Sequence, residues 1–110
     1  DLIQVGIGGS DLGPRALCMA LQAFHLPGKR VHFISNVDPD DANQVLSLID
    51  LKKTIVVVVS KSGSTLETRT NEEFVRDRFR AAKLDPKKHF VAVTGEGSPM
   101  DDPSRYLASF

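Results

Sequence analysis

Six consecutive β-branched residues, Thr54-Ile55-Val56-Val57-Val58-Val59, constrain the fold of this chain more than any other stretch. A strand with one face in water alternates apolar and polar side chains. This run has no polar face to turn outward, so it needs cover on both sides, the pattern of a central strand in a parallel sheet. Three further segments read as strands: Leu2 to Ile7, Val31 to Ile34 and Phe90 to Val93.

Between the strands the apolar period lengthens to that of a helix. After the first strand, Leu17, Ala20, Leu21 and Phe24 recur at helical spacing, with Pro14 expected in the first turn, where its missing N–H does no harm. After the second, Asp38-Pro39-Asp40-Asp41 supplies cap-type acids for a helix whose inward face is Ala42, Val45, Leu48 and Ile49. After the third, Leu66 to Ala82 predicts a helix that turns Leu66, Phe74, Val75, Phe79 and Ala82 inward and leaves Glu67, Glu72, Arg76 and Arg80 to water, with Leu84-Asp85-Pro86 ending it. The fourth strand leads through a glycine-rich turn to a predicted short helix near Pro103 to Ala108. Strand and helix in strict alternation predict an α/β fold of three layers, α/β/α, around a parallel sheet of flavodoxin-like order.

The 110 residues suffice for one domain and are too few for two, so residues 1–110 are read as a single domain. The chain opens in a strand without a methionine and stops at Arg105-Tyr106-Leu107-Ala108-Ser109-Phe110 without a capping glycine or asparagine, which suggests a piece of a longer chain. Tyr106, Leu107 and Phe110 are expected to be exposed and to meet structure outside it. Its 14 basic and 14 acidic side chains cancel, leaving no field to draw nucleic acid or a membrane surface. With neither a spanning apolar run nor a signal peptide pattern, a cytoplasmic protein is expected. The single cysteine, Cys18, lies among Leu17, Ala20 and Leu21 and reads as a small buried hydrophobe.

Two loops carry the chemistry-bearing residues, Gly6-Ile7-Gly8-Gly9-Ser10-Asp11-Leu12-Gly13-Pro14 after the first strand and Ser60-Lys61-Ser62-Gly63-Ser64-Thr65 after the third. In an open parallel sheet a ligand sits beyond the carboxyl ends of the strands where the winding reverses, and in the flavodoxin-like order that point lies between the first and third strands. Gly8 and Gly9 are free to take positive φ and let backbone approach a ligand, and Ser10 offers a hydroxyl. The second loop adds the hydroxyls of Ser60, Ser62, Ser64 and Thr65, a flexible Gly63 and the charge of Lys61, just ahead of the positive end of a helix dipole. This is the composition of a phosphate cradle. Neither nucleotide motif is present: Asp11 stands where the dinucleotide fingerprint needs its third glycine, and Lys61 precedes Gly63 instead of following a glycine.

At these two loops the chain resembles the glucose-6-phosphate isomerase family. Gly6 to Pro14 is similar to the family's nonapeptide, Ser60-Lys61-Ser62-Gly63-Ser64-Thr65-Leu66-Glu67-Thr68 to its second phosphate loop, and Ser35-Asn36-Val37-Asp38 to its strand-two exit. Many members carry threonine and an aromatic at the places of Ser62 and Gly63. The resemblance spans essentially the whole chain, as the first of two sugar isomerase (SIS) domains. It implies that Gly9 and Ser10 contact substrate, and that Ser60, Lys61, Ser62 and Thr65 form a phosphate pocket with backbone help from Gly63 and Ser64. It also implies the interconversion of glucose 6-phosphate and fructose 6-phosphate in glycolysis and gluconeogenesis, by ring opening and glutamate-mediated proton transfer through an enediolate. That chemistry needs no metal or other cofactor, and the full chain is expected to be a homodimer. The family's catalytic glutamate, histidine, lysine and arginine belong to later segments, so no residue here is assigned a catalytic role.

The local titratable groups fit structural roles. Glu67 and Asp11 stand in first turns of helices, where an acid favours the dipole. His25, His32 and His89 lack partners at metal-ligand spacing, and Asp38, Asp40, Asp41, Asp101 and Asp102 read as turn and cap residues. Glu96, in a loop at the ligand-facing edge, stays unassigned. Two other readings stand beside the isomerase half-site: a phosphosugar-sensing SIS domain, alone or fused to a regulator, and a small isomerase that shares catalytic groups between identical subunits.

Overall fold

The computed structural model describes residues 1–110. Strands β1 (Leu2–Val5), β2 (Val31–Ile34), β3 (Ile55–Ser60), β4 (Phe90–Thr94) and β5 (Ala108–Ser109) are separated by helices α1 (Gly9–Ala20), α2 (Pro39–Ser47) and α3 (Leu66–Ala81), with none between β4 and β5. They form one parallel sheet in the order β2-β1-β3-β4-β5. The β-branched run therefore lies at the centre, as its composition requires. Register places Val5 beside Ile34 and Val58, and Ser60 beside Thr94.

One face of the sheet holds the core. Ile3, Val5, Ile34, Val56, Val58, Phe90 and Ala92 pack against Ala42, Val75 and Phe79 of α2 and α3. Each large apolar side chain buried there is worth about 1.5–3 kcal/mol. On the opposite face lie Gln4, Phe33, Val57 and Val91, alternating with the core residues along their strands, and there Gln4 is bonded to α1.

That difference explains the largest departure from the sequence reading. The stripe expected to face inward from α1 is exposed, with Leu17 at 62% and Phe24 at 79%. The helical period identifies the apolar face correctly: Leu17, Leu21 and Phe24 stand with Leu2, Val31 and Phe33 around an open cavity of about 410 Å³, so the stripe meets the second face of the sheet without closing over it. Ala20 and Leu21 are exposed with it, and Cys18 is half-buried beside His25, 3.6 Å from Sγ to Nε2. Leu48, Leu66 and Ala82 are also exposed: Leu66 is the first residue of α3, and Leu48 and Ala82 are the residues at which α2 and α3 end.

Three further corrections follow from local geometry. β1 stops at Val5 rather than Ile7, because the chain turns at once into α1: a Cβ on Gly6 would stand 2.9 Å from the Ser10 carbonyl oxygen. As α1 begins at Gly9, Pro14 falls in its second turn. A proline inside a helix leaves the carbonyl four residues earlier without its donor. That carbonyl belongs to Ser10, and the Gln4 side-chain amide donates to it at 2.6 Å.

No helix forms over 103–108. The Asp102 carboxylate accepts from the Ser104 amide at 2.8 Å and hydroxyl at 2.6 Å, holding a turn. These hydrogen bonds keep the Asp102 pKa below the usual carboxylate range. Leu107 N–H then donates to Phe90 at 2.7 Å and Phe110 N–H to Ala92 at 3.0 Å, drawing the segment along β4 as β5. This passage carries Tyr106 over α3 and buries it to 1% exposure, against expectation, while Leu107 and Phe110 remain exposed as expected. Beneath it, Glu72 and Arg76 are 2% and 4% exposed rather than solvated.

Candidate functional site

From β1 the chain moves outward to β2, then crosses back to β3 on the other side of β1, so the winding direction reverses between β1 and β3. The loops leaving these two carboxyl ends start from hydrogen-bonded neighbouring strands, about 4.8 Å apart, at the place where the topological rule expects a ligand.

The loop after β3 is organised from beneath. Ser60 is buried, and its Oγ accepts from Gly63 N–H at 3.2 Å while sharing a 3.1 Å hydrogen bond with Thr65 Oγ1. Gly63 takes φ +65°, a left-handed conformation that favours glycine. Ser62 Oγ accepts from the Ser64 amide at 3.2 Å and hydroxyl at 3.0 Å. Thr65 occupies the N-cap of α3 but makes no side-chain capping bond, since its hydroxyl is turned to Ser60. The first N–H groups of a helix have no acceptor within it. Those of Leu66, Glu67 and Thr68 are therefore left to an external acceptor, at the positive end of the helix dipole. Lys61 is exposed and forms no salt bridge, and Glu67 is exposed in the first turn.

The loop after β1 presents a second helix start, at which the Ser10 and Asp11 N–H groups donate to the Ile7 and Gly8 carbonyls at 3.2 and 3.0 Å. Gly8 takes φ +60° and no side chain caps α1, whereas Gly9 does not adopt positive φ. Ser10 has its carbonyl held by Gln4, which leaves its hydroxyl free at the first turn. Asp11 is buried and engaged by Arg15, with Nη2 at 2.9 Å and Nε at 3.1 Å, and Arg15 Nη2 also donates to Ser35 Oγ at 3.1 Å. Asp11 thus ties the first loop to the exit of β2. From α3, Asn71 Nδ2 donates to the Asn36 carbonyl at 3.0 Å and ties the same exit to the second loop's helix.

The expected residues Gly9, Ser10, Lys61, Ser62, Gly63, Ser64 and Thr65 thus gather on the two loops at the switch point, with Ser60 beneath them. Glu96 follows Gly95, whose N–H donates to the Lys61 carbonyl at 3.1 Å, and lines a cavity of about 200 Å³ with Thr94, Asp101, Ser109 and Phe110. No group of three or more His, Cys, Asp or Glu side chains is placed to hold a metal ion, and no helix is long and apolar enough to cross a membrane. Gln4, Thr94 and Ser98 were not singled out in the sequence, yet Gln4 holds the first loop and the other two hold the second. The only signal for Gln4 was a polar residue inside an apolar strand upstream of a helix containing proline.

Known proteins share this fold. The phosphoglucose isomerase family model matches residues 1–102. A glucose-6-phosphate isomerase of Protochlamydia amoebophila is 63% identical over 100% of this chain and 21% of its own length. One of Desulfotalea psychrophila is 60% identical over 99% of this chain and 20% of its own. The crystal structure of a glucose-6-phosphate isomerase from Chlamydia trachomatis D/UW-3/Cx superposes with a TM-score of 0.95 at 56% identity, covering 99% of this chain and 21% of that one. The chain spans about a fifth of the length of the relatives it matches. Because the family match runs through both loops and the whole of the sheet up to β4, the chain belongs to the phosphoglucose isomerase family.

Proposed function

We propose that this chain is the phosphate-gripping half of an active site that interconverts glucose 6-phosphate and fructose 6-phosphate. The observation that carries the reading is the uncapped start of α3 beside the unpaired Lys61 at the switch point. A phosphate monoester supplies the missing acceptor. Its oxygens take the N–H groups of Leu66, Glu67 and Thr68 and the hydroxyls of Ser62 and Thr65, with Ser64 holding Ser62 in place through its own hydroxyl, and Lys61 swings in to neutralise charge. Each hydrogen bond to the charged group contributes about 1.5–3 kcal/mol. Ser60 shapes the loop from below, Gly63 turns it, and Gly9 and Ser10 face the sugar from β1.

Phosphate lies remote from the carbons that react, so its binding energy serves to position them. Proton transfer between C1 and C2 needs an acid or base within hydrogen-bond reach. Asp11 is occupied by Arg15. In this reading the proton-transfer groups come from parts of the full-length enzyme outside these residues, and the 110-residue chain binds without turnover. With it go an SIS domain, a homodimeric full chain in the cytoplasm and chemistry without metal. Identities of 63% and 60% to proteins named as the isomerase favour this reading over a phosphosugar sensor.

The test is deuterium exchange at C2 of glucose 6-phosphate in heavy water. Full-length protein is expected to exchange and isomerise, and the purified 110-residue chain to do neither. Exchange by that chain, lost in Glu67→Gln or Glu96→Gln, would overturn the division of labour.

A further inference from the structure

We infer that Thr94 and Ser98, at the end of β4, are positioning residues that aim the backbone of the Ser60 to Thr65 loop at the phosphate. The inference rests on the phosphate reading and deepens it.

Thr94 Oγ1 donates to the Ser60 carbonyl at 2.7 Å and shares a second 2.7 Å hydrogen bond with Ser98 Oγ. A hydroxyl has one proton to give. With the Thr94 proton on Ser60, Ser98 is the donor to Thr94, and Ser98 Oγ in turn accepts from Met100 N–H at 3.1 Å. Next to this relay, Gly95 N–H donates to the Lys61 carbonyl at 3.1 Å. Two successive carbonyls of the phosphate loop are thus drawn toward the turn after β4. In a planar trans peptide the N–H points opposite to the C=O. Pinning the Ser60 and Lys61 carbonyls therefore turns the Lys61 and Ser62 N–H groups away from β4, and neither donates within the protein.

The same turn supports Gly63. A Cβ there would stand 2.5 Å from Ser98 Oγ and 3.1 Å from Met100 N, so Ser98 packs directly against the left-handed glycine. The loop is held at its start by Thr94 and at its bend by Ser98. Neither side chain touches the ligand. Without the Thr94 hydroxyl, the Ser60 carbonyl keeps only the 3.2 Å bond from Gly63 N–H of its own loop, nothing ties it to β4, and the loop relaxes into arrangements with fewer free N–H groups.

The experiment uses the full-length chain carrying these residues, with inorganic phosphate as the probe and fructose 6-phosphate kinetics as the second readout. Thr94→Val keeps the shape and removes the donor, whereas Thr94→Ser keeps the donor. Thr94→Val is expected to raise the Kd for phosphate about three- to ten-fold, with KM rising in parallel and kcat held within about two-fold. Thr94→Ser is expected to restore wild-type binding. A Thr94→Val protein that melts normally and binds phosphate as wild type does would overturn the inference, as would a loss confined to kcat. Should Thr94→Val not fold, Ser98→Ala decides: a raised phosphate Kd supports the relay and an unchanged one overturns it. Wild-type protein that fails to bind phosphate at all overturns the phosphate reading together with this inference, which distinguishes the two failures.

Discussion

Glu72→Ala is expected to be among the most damaging single changes to this fold. Glu72 Oε1 accepts from Arg76 Nε at 2.7 Å, from Tyr106 OH at 2.7 Å and from Arg105 Nη2 at 3.3 Å. Truncation leaves the Arg76 charge buried without its counter-ion, a change that costs about 3–5 kcal/mol. Arg76 keeps two aromatic faces, 4.3 Å above Phe90 and 4.8 Å from Tyr106, and its 3.1 Å bond to the Arg105 carbonyl. Those contacts argue for the lower half of the range, and the unpartnered Tyr106 hydroxyl, worth about 1–3 kcal/mol, argues for the upper. A loss of about 4 kcal/mol is a large part of the 5–15 kcal/mol typical of a domain. Urea unfolding of Glu72→Ala measures it, and a cycle of Glu72→Leu, Arg76→Leu and the double variant Glu72→Leu/Arg76→Leu measures the coupling. Replacing both partners by apolar groups is often neutral or stabilising, so the double variant should be more stable than Glu72→Ala. A Glu72→Ala loss below about 1 kcal/mol, or single losses that simply add in the double variant, would refute the coupling.

Gln4→Leu should lower stability by about 1–3 kcal/mol, because the Ser10 carbonyl that Pro14 cannot serve loses its donor; Gln4→Leu combined with Pro14→Ala, which returns a helical N–H, should recover part of the loss in the same unfolding assay. Lys61→Ala should weaken inorganic phosphate binding more than Ser62→Ala in calorimetry at low salt, because it removes a whole charge and not one donor; equal losses would mean the ammonium points elsewhere. Tyr106 is the only tyrosine here, so phenolate absorbance reports it directly. Burial, then the hydrogen bond and charge of Glu72, raise its pKa well above the ordinary value of 10.0. Folded protein should show no ionisation near pH 10, where unfolded tyrosine releases its proton. Because the folded state holds that proton more tightly, the associated stability is complete below about pH 10 and falls as pH rises through the folded pKa; a native titration midpoint near the unfolded value would contradict the burial.

Local chemistry made much of this fold legible. Strand positions followed from β-branched runs, and the two loops from glycine and hydroxyl residues placed between strand and helix. What could not be read depended on distant parts of the chain. Glu72 and Arg76 stand four residues apart on a helix, the spacing of an ordinary solvated ion pair, and only the passage of Tyr106 over α3 takes them out of water. Thr94 matters because register sets it beside Ser60, a pairing no local pattern encodes. The exposed Leu17 and Phe24 teach the converse: periodicity identifies an apolar face without saying what covers it.

The central claim is that phosphate sits at the start of α3, opposite Ser10. Amide chemical shifts of the isotopically labelled chain, followed during titration with inorganic phosphate, fructose 6-phosphate and unphosphorylated fructose, test it most directly. Both phosphates are predicted to move the amides of residues 61–68 strongly, with Ser10 responding to fructose 6-phosphate, while fructose leaves the start of α3 unmoved. Shifts centred elsewhere, for instance around Glu96 and Asp101, with residues 61–68 unchanged, would contradict it.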